Sequence, residues 1–316
     1  MKILWSVDFS RDSKAAIRCL SGVDFPKGSE GLLLHVISKN EELRRLGHIS
    51  DFAINLSQLQ QKTIERVHRN LKKLADRFLP STLSRSILVR EGNPGKEILT
   101  VLNKEHLDLA VLGTRGVTGI NRFLLGSVSD WILQEAPCPV LIARGAGRKE
   151  KRGMRIVLAT DGSSKTEIAV EFINQLSFPP NSEIVLFHVI EPIDYTIVQD
   201  DYRTLGLGPS GLQELQKLVK EVHGRRKKSQ ESLLKQTKKS LTLRKGKVEH
   251  IAVGYAAEEI VKAAYRFRAD LVVIGSRGLT GVKRTLLGSV SSRVVRHAPC
   301  SVLVVRKNEK SKRVRI

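Results

Sequence analysis

Two stretches of this 316-residue chain have the residue types and spacing that hold a phosphate. Gly113-Thr114-Arg115-Gly116 is followed after nine residues by Gly126-Ser127-Val128, and Gly275-Ser276-Arg277-Gly278 is followed at the same spacing by Gly288-Ser289-Val290. A phosphate needs backbone N–H groups at close range, which glycine permits by lacking Cβ, and a helix N-terminus adds unpaired donors and a favourable dipole. Each Gly-Ser-Val opens a helical pattern, so Ser127 and Ser289 are placed to cap and to donate, and Arg115 and Arg277 are within the loops to reach phosphate oxygens. A single loop of this kind is weak evidence, because glycine also serves turns and caps. Two loops with the same glycines, spacing and serine, in segments that differ elsewhere, argue for binding.

The loops belong to an internal repeat. Shifting the chain by 162 positions superposes Gly113 to Arg144 on Gly275 to Arg306, with 18 of 32 positions identical. Nearer the N-terminus the offset is 153, pairing Asp8 with Asp161 and His35 with His188, so copy two has nine extra residues between Glu191 and Lys247. The expected organisation is a first domain over 1–146, a linker at 147–153 rich in glycine and charge, a second domain over 154–307 and a basic tail at 308–316. In copy one, short apolar runs at 2–8, 31–37, 85–90, 108–113 and 139–144 read as buried parallel strands, and helical periods fill the gaps. Ser10 or Asp12 can cap the first helix, and Asn93-Pro94 can start the third. Copy two repeats the order. Strand and helix alternating through five strands define a doubly wound α/β domain with helices on both faces, here twice in tandem. Asp8 and Asp161 each end a first strand. If strands one and four are neighbours, aspartate and glycine loop face one crevice at the point where strand order reverses.

The second helix differs between copies. Copy one keeps a helical apolar stripe from Phe52 to Phe78, whereas copy two has no apolar residue between Gly224 and Leu233, so that helix either projects into water or breaks near Gly224. This region belongs to a charge excess. The chain carries net charge +22, and residues 217–247 hold 12 basic residues against Glu221 and Glu231. Such a run is either a solvated helix face or a contact for polyanions or anionic surfaces. No run approaches the roughly 18 apolar residues that cross a bilayer, and the N-terminal apolar run is interrupted by Asp8, so a cytoplasmic protein is expected. Cys138 and Cys300, each in a Pro-Cys-x-Val-Leu strand, read as reduced core thiols.

Taken together, Val7-Asp8-Phe9-Ser10, Thr160-Asp161-Gly162-Ser163, His35-Val36, His188-Val189, both glycine loops and both Pro-Cys-x-Val-Leu strands resemble the universal stress protein family in its tandem form, over nearly the whole chain. The resemblance implies strand order 3-2-1-4-5, ATP or a related adenine nucleotide in the crevice, with or without Mg2+, and pairing of two domains through their last strands. A tandem chain can make that pairing internally, and association into a homodimer is left open. Asp8 and Val36 would sit at the adenosine end, with Gly113, Arg115, Gly116, Gly126, Ser127 and Val128 around the phosphates. Asp161, Val189, Gly275, Arg277, Gly278, Gly288, Ser289 and Val290 would serve copy two. Phe9 stands where copy two has Gly162, so the two sites should differ.

Other nucleotide signatures are missing. No Gly-x-Gly-x-x-Gly follows a first strand, Gly95-Lys96 is followed by Glu97 where a P-loop needs Ser or Thr, and kinase and metal-ligand spacings are absent. His35 and His188 lie within apolar strands, where a hydrogen-bonded core histidine is the expected role. The leading expectation is a nucleotide-binding stress-response or regulatory protein. The alternatives are a slow ATPase or self-phosphorylating protein, for which no recurring carboxylate is expected near a γ-phosphate, and a polyanion-binding module acting through 217–247.

Overall fold

The computed structural model describes residues 1–38, 56–114, 125–145, 153–192, 209–243, 246–276 and 287–307. Copy one runs β1 (Lys2–Ser6), α1 (Arg11–Cys19), β2 (Glu30–Ile37), α2 (Leu56–Phe78), β3 (Ser84–Glu91), α3 (Pro94–Lys104), β4 (Leu109–Gly113), α4 (Ser127–Glu135) and β5 (Val140–Ala143). Copy two runs β6 (Arg155–Thr160), α5 (Ser164–Asn174), β7 (Glu183–Ile190), α6 (Pro209–Ser240), β8 (Lys247–Val253), α7 (Ala256–Arg266), β9 (Leu271–Gly275), α8 (Ser289–His297) and β10 (Ser301–Val305).

Central strands such as β4 and β10 are buried along their whole length, which is why they read as unbroken apolar runs, while edge strands β3 and β8 mix in Arg, Glu and Lys. Successive side chains leave opposite faces, so Ile3 and Trp5 join one core layer and Leu4 the other. Ile17 of α1, Leu71 of α2, Val170 of α5 and Leu234 of α6 cover the first face. Ile98 of α3, Ile132 of α4, Ile260 of α7 and Val294 of α8 cover the second. Each such side chain, fully buried, is worth about 1.5–3 kcal/mol in transfer free energy.

The strands form one ten-stranded sheet in the order β3-β2-β1-β4-β5-β10-β9-β6-β7-β8. Each copy therefore has the order 3-2-1-4-5, all parallel, and the copies meet where β5 and β10 pair antiparallel. The register is self-complementary: Leu141 faces its own counterpart Leu303, flanked by Ile142 with Val302 and Val140 with Val304. An isolated bridge repeats the symmetry, since Asp24 and Ser177, equivalent at the 153 offset, exchange two backbone hydrogen bonds of 2.9 Å. Both core layers thus run through the two copies without interruption.

Helix α6 does not break at Gly224. It continues for 32 residues and holds Arg225 to Ser229 in solvent, anchored by Val219 before them and Leu234 after them. Among the described residues no helix is long and apolar enough to cross a membrane.

Candidate functional sites

In copy one β1 and β4 are neighbours, and strand order turns outward on either side of them, so their carboxyl ends open the crevice expected of a doubly wound sheet. Asp8 lies just past β1, half-buried, its Oδ1 accepting the Ser10 N–H at 3.0 Å. Ser10 in turn is the N-cap of α1, its hydroxyl accepting the Ser13 N–H at 3.1 Å. Asp12, the alternative cap in the sequence, does something else: it accepts the Thr114 hydroxyl at 2.7 Å and ties α1 to the residue that follows β4. Gly113 has to be glycine here, because a Cβ would lie 2.6 Å from the Asp12 carbonyl carbon.

The two ends of the first glycine loop are pinned together. The Gly126 N–H donates to the Thr114 carbonyl at 2.8 Å, and the Ser129 hydroxyl donates to the Gly113 carbonyl at 2.7 Å. Gly126 is itself the N-cap of α4, in extended conformation and without a side-chain cap. Ser127 is therefore the first helical residue and does not cap, contrary to the reading from sequence: the extended residue that precedes the helix is the glycine. The consequence favours an anion. The first N–H groups of α4 have no side-chain acceptor and lie at the crevice with exposed Ser127 and half-buried Val128.

Copy two repeats these relations with different partners. Gly275 ends β9, the Gly288 N–H donates to the Ser276 carbonyl at 2.8 Å, and Ser291 donates to the same carbonyl at 3.1 Å. Gly288 is the uncapped extended residue before α8, so Ser289 again stands inside the helix rather than at its cap, beside half-buried Val290. Asp161 accepts from the Ser163 N–H at 3.0 Å and the Ser163 hydroxyl at 2.6 Å. Arg115, Gly116, Arg277 and Gly278 lie outside the described residues.

Val36 and Val189 lie near the ends of β2 and β7, half-buried, one strand away from the aspartates. The preceding histidines are structural. His35 Nδ1–H donates to the Val7 carbonyl at 2.6 Å and His188 Nδ1–H to the Thr160 carbonyl at 2.8 Å, so each bridges two strand ends. Burial lowers the His188 pKa, against the opposing influence of the Thr160 bond and the Asp161 charge, which keeps the ring neutral near neutral pH. The turn after the aspartate separates the copies. Phe9 takes it at φ 62°, an unusual conformation for a bulky residue, with its ring 5.0 Å from His35. Gly162 takes it at φ 75°, and the space belongs to Leu233 of α6, whose methyl would lie 3.0 Å from an added Cβ.

Cys138 and Cys300 are free and buried, and burial pushes both thiols up to about 12, which leaves them unreactive packing groups. Among the described residues no group of His, Cys, Asp and Glu is arranged to hold a metal ion.

Two parallel α/β domains, each with a pinned glycine loop at its switch point and joined through their last strands, define the class of protein. The family model described as the universal stress protein family matches residues 1–144 and again 154–306, and the chain belongs to that family. Universal stress protein MJ0577 of Methanocaldococcus jannaschii is 32% identical over 155 residues, 48% of this chain and 94% of its own length. A universal stress protein of Mycolicibacterium smegmatis is 26% identical over 313 residues, 96% of each chain, which makes it a relative in the tandem arrangement. The crystal structure of a universal stress protein from Archaeoglobus fulgidus covers 98% of this chain and 97% of its own with TM-score 0.57 at 21% identity, a likeness of fold.

Proposed function

We propose that the protein binds an adenine nucleotide, ATP in the first instance, at the switch-point crevice of each copy, and that occupancy of these sites serves a regulatory role in stress response. One observation carries the reading: in both copies the uncapped glycine that opens the fourth helix donates its N–H to the carbonyl of the residue just after the fourth strand, closing the ends of the glycine loop into one cradle beside an aspartate from the neighbouring strand. Free N–H groups at a helix start recognise phosphate, and a half-buried carboxylate next to a strand end suits the polar edge of a nucleoside. Asp8 and Val36 would hold the adenosine end in copy one, with Gly113, Arg115, Gly116, Gly126, Ser127 and Val128 at the phosphates. Asp161, Val189, Gly275, Arg277, Gly278, Gly288, Ser289 and Val290 would do so in copy two. Mass spectrometry of ligand released from freshly purified protein, followed by titration calorimetry with ATP, tests this. Adenine nucleotide at up to two per chain supports it, and absence of binding to both copies overturns it.

A second reading has its own support. The exposed stretch Arg225 to Lys228 on α6 lies beyond the core and presents four cations to solvent, as a polyanion contact would. The two functions are compatible, because α6 also packs on the turn at Gly162.

A further inference from the structure

Helix α6 is longer than the sheet it packs on, and the excess stands at the crevice of copy two. Strands β7 and β8 are parallel, so the helix between them runs back from the carboxyl ends of the strands to their amino ends. Its 32 residues span about 48 Å, whereas the eight residues of β7 span about 26 Å. Gly162, just past the end of β6, marks the level at which the helix passes the crevice. A Cβ there would lie 3.0 Å from Leu233 and 3.5 Å from the Gln230 amide oxygen. The residues before Gln230 therefore continue past the carboxyl ends of the strands, beyond the turn that carries Asp161.

Positions three and four apart share one side of a helix, so Lys227 and Arg226 lie on the side of α6 that meets Gly162 through Gln230. Both are exposed, and they stand within about 6 Å of Gln230 along the helix axis. Arg225, on the flank, pairs with Glu221 at 3.9 Å. Lys235 and Lys239 are also exposed, but they belong to the opposite side of the helix and to its lower half. Counted back from the helix ends at Phe78 and Ser240, copy one has Ile64 and Glu65 where copy two has Arg226 and Lys227. Two cations in one copy thus correspond to an apolar residue and a carboxylate in the other.

We infer that Arg226 and Lys227 are a cationic rim of the copy-two crevice that selects nucleotides by charge, favouring a triphosphate over an uncharged nucleoside. The inference rests on the nucleotide reading above and adds a difference between the copies to it. Unlike charges attract over about 10 Å at 0.1 M salt and about 30 Å at 0.01 M, so the two cations act on phosphates that they do not touch. A cleft edged by one sign of charge raises the local concentration of its counter-ion and the rate of its capture. Copy one, with Glu65 in place of Lys227, gives a triphosphate no such help.

Titration calorimetry of the full chain with ATP and with adenosine, over a salt series, tests this. Arg226→Gln with Lys227→Gln should weaken ATP at one of the two sites by about 10-fold near 0.01 M salt, and by much less at high salt, where the attraction is screened. Adenosine binding should not change. The pair Lys235→Gln with Lys239→Gln removes the same charge from the opposite side of the helix and should cost ATP about 2-fold or less. Ile64→Arg with Glu65→Lys, which copies the rim into copy one, should make its ATP affinity higher and more salt-sensitive. An ATP affinity at low salt that is unmoved by the loss of Arg226 and Lys227, or lowered equally by the loss of Lys235 and Lys239, overturns the inference and leaves the nucleotide reading standing. If neither ATP nor adenosine binds copy two, both fall together.

Discussion

Arg144 and Arg306 hold equivalent places after β5 and β10, and each guanidinium caps the last helix of the other copy. Arg144 donates to the carbonyls of Val295 at 3.0 Å, Arg296 at 3.2 Å and Ala298 at 2.8 Å, at the end of α8. Arg306 donates to Leu133, to Gln134 at 3.3 Å and to Ala136 at 2.8 Å, at the end of α4. The last carbonyls of a helix have no partners within it and form the negative end of its dipole, so a forked cation is well suited to them. Because the exchange is reciprocal, it fixes the two copies as one body.

Replacing either arginine with alanine should therefore lower unfolding stability by about 1–3 kcal/mol, as expected when half-buried carbonyls lose charge-assisted hydrogen bonds. Arg306→Lys should recover only part of this, since an ammonium cannot reach three carbonyls in a plane. Urea unfolding followed by circular dichroism reads both. If Arg144→Ala and Arg306→Ala each leave the midpoint unmoved, the cross-capping contributes nothing to holding the copies together.

At the candidate site of copy one, Gly113 leaves no room for a side chain. Gly113→Ala places a methyl 2.6 Å from the Asp12 carbonyl carbon and 2.7 Å from the Ser13 nitrogen, and backbone atoms cannot step aside as side chains do. The first turn of α1 must shift, at an overpacking cost of about 1–3 kcal/mol. Nucleotide binding to copy one should weaken while copy two is unaffected. Thr114→Val is the gentler companion: it removes the hydroxyl bonded to Asp12 with almost no change in volume. Calorimetry that found copy-one binding equal to wild type in both variants would show that the α1-to-loop tie does not position the site.

The pH dependence of stability has a sign that His188 sets. Its folded pKa lies below the ordinary value of 6.5 because burial penalises the charged ring, while the Thr160 bond and Asp161 pull the other way. Above 6.5 both folded and unfolded states are neutral at this position, and it contributes nothing. As pH falls from 6.5 toward the lowered folded pKa, only the unfolded state takes up the proton, so stability is lost across that window. His250, lowered by burial and by Arg266, acts in the same direction. His188→Asn keeps an N–H for the Thr160 carbonyl and removes the titration. Its urea midpoint should fall less than wild type's between pH 7 and pH 5.5, and parallel curves would exclude His188 as a contributor.

How much of this could be read from the chain depended on the range of the interaction. The five strands of copy one appear in the sequence within two residues of their observed ends, because two-sided burial demands unbroken apolar runs. Asn93 was legible as a cap, and Ser10 as one of two candidates with Asp12, since a cap acts within three residues. What Asp12 does instead was not legible, because its partner Thr114 is 102 positions away and only the pairing of β1 with β4 brings them together. Ser127 and Ser289 misled for a local reason: a serine and the glycine before it both suit a helix start, and only the backbone angles show which one precedes the helix.

Helix α6 gives the last prediction, because its continuity through Gly224 is neither local propensity nor core packing. Glycine in a helix interior costs about 1 kcal/mol relative to alanine, and Gly224 is exposed with open space where a Cβ would stand. Gly224→Ala should thus stabilise the helix by up to about 1 kcal/mol without touching any neighbour. If the basic stretch binds a polyanion as a straight helical face, this stiffer helix should keep or raise affinity for a short duplex, whereas replacing Arg225, Arg226, Lys227 and Lys228 with glutamine should weaken it and flatten its salt dependence by about 0.9 log units per lost phosphate contact. Electrophoretic mobility shifts over a salt series measure both. Equal salt slopes for the wild type and the neutralised chain would mean that these four cations are a solvated helix face and nothing more.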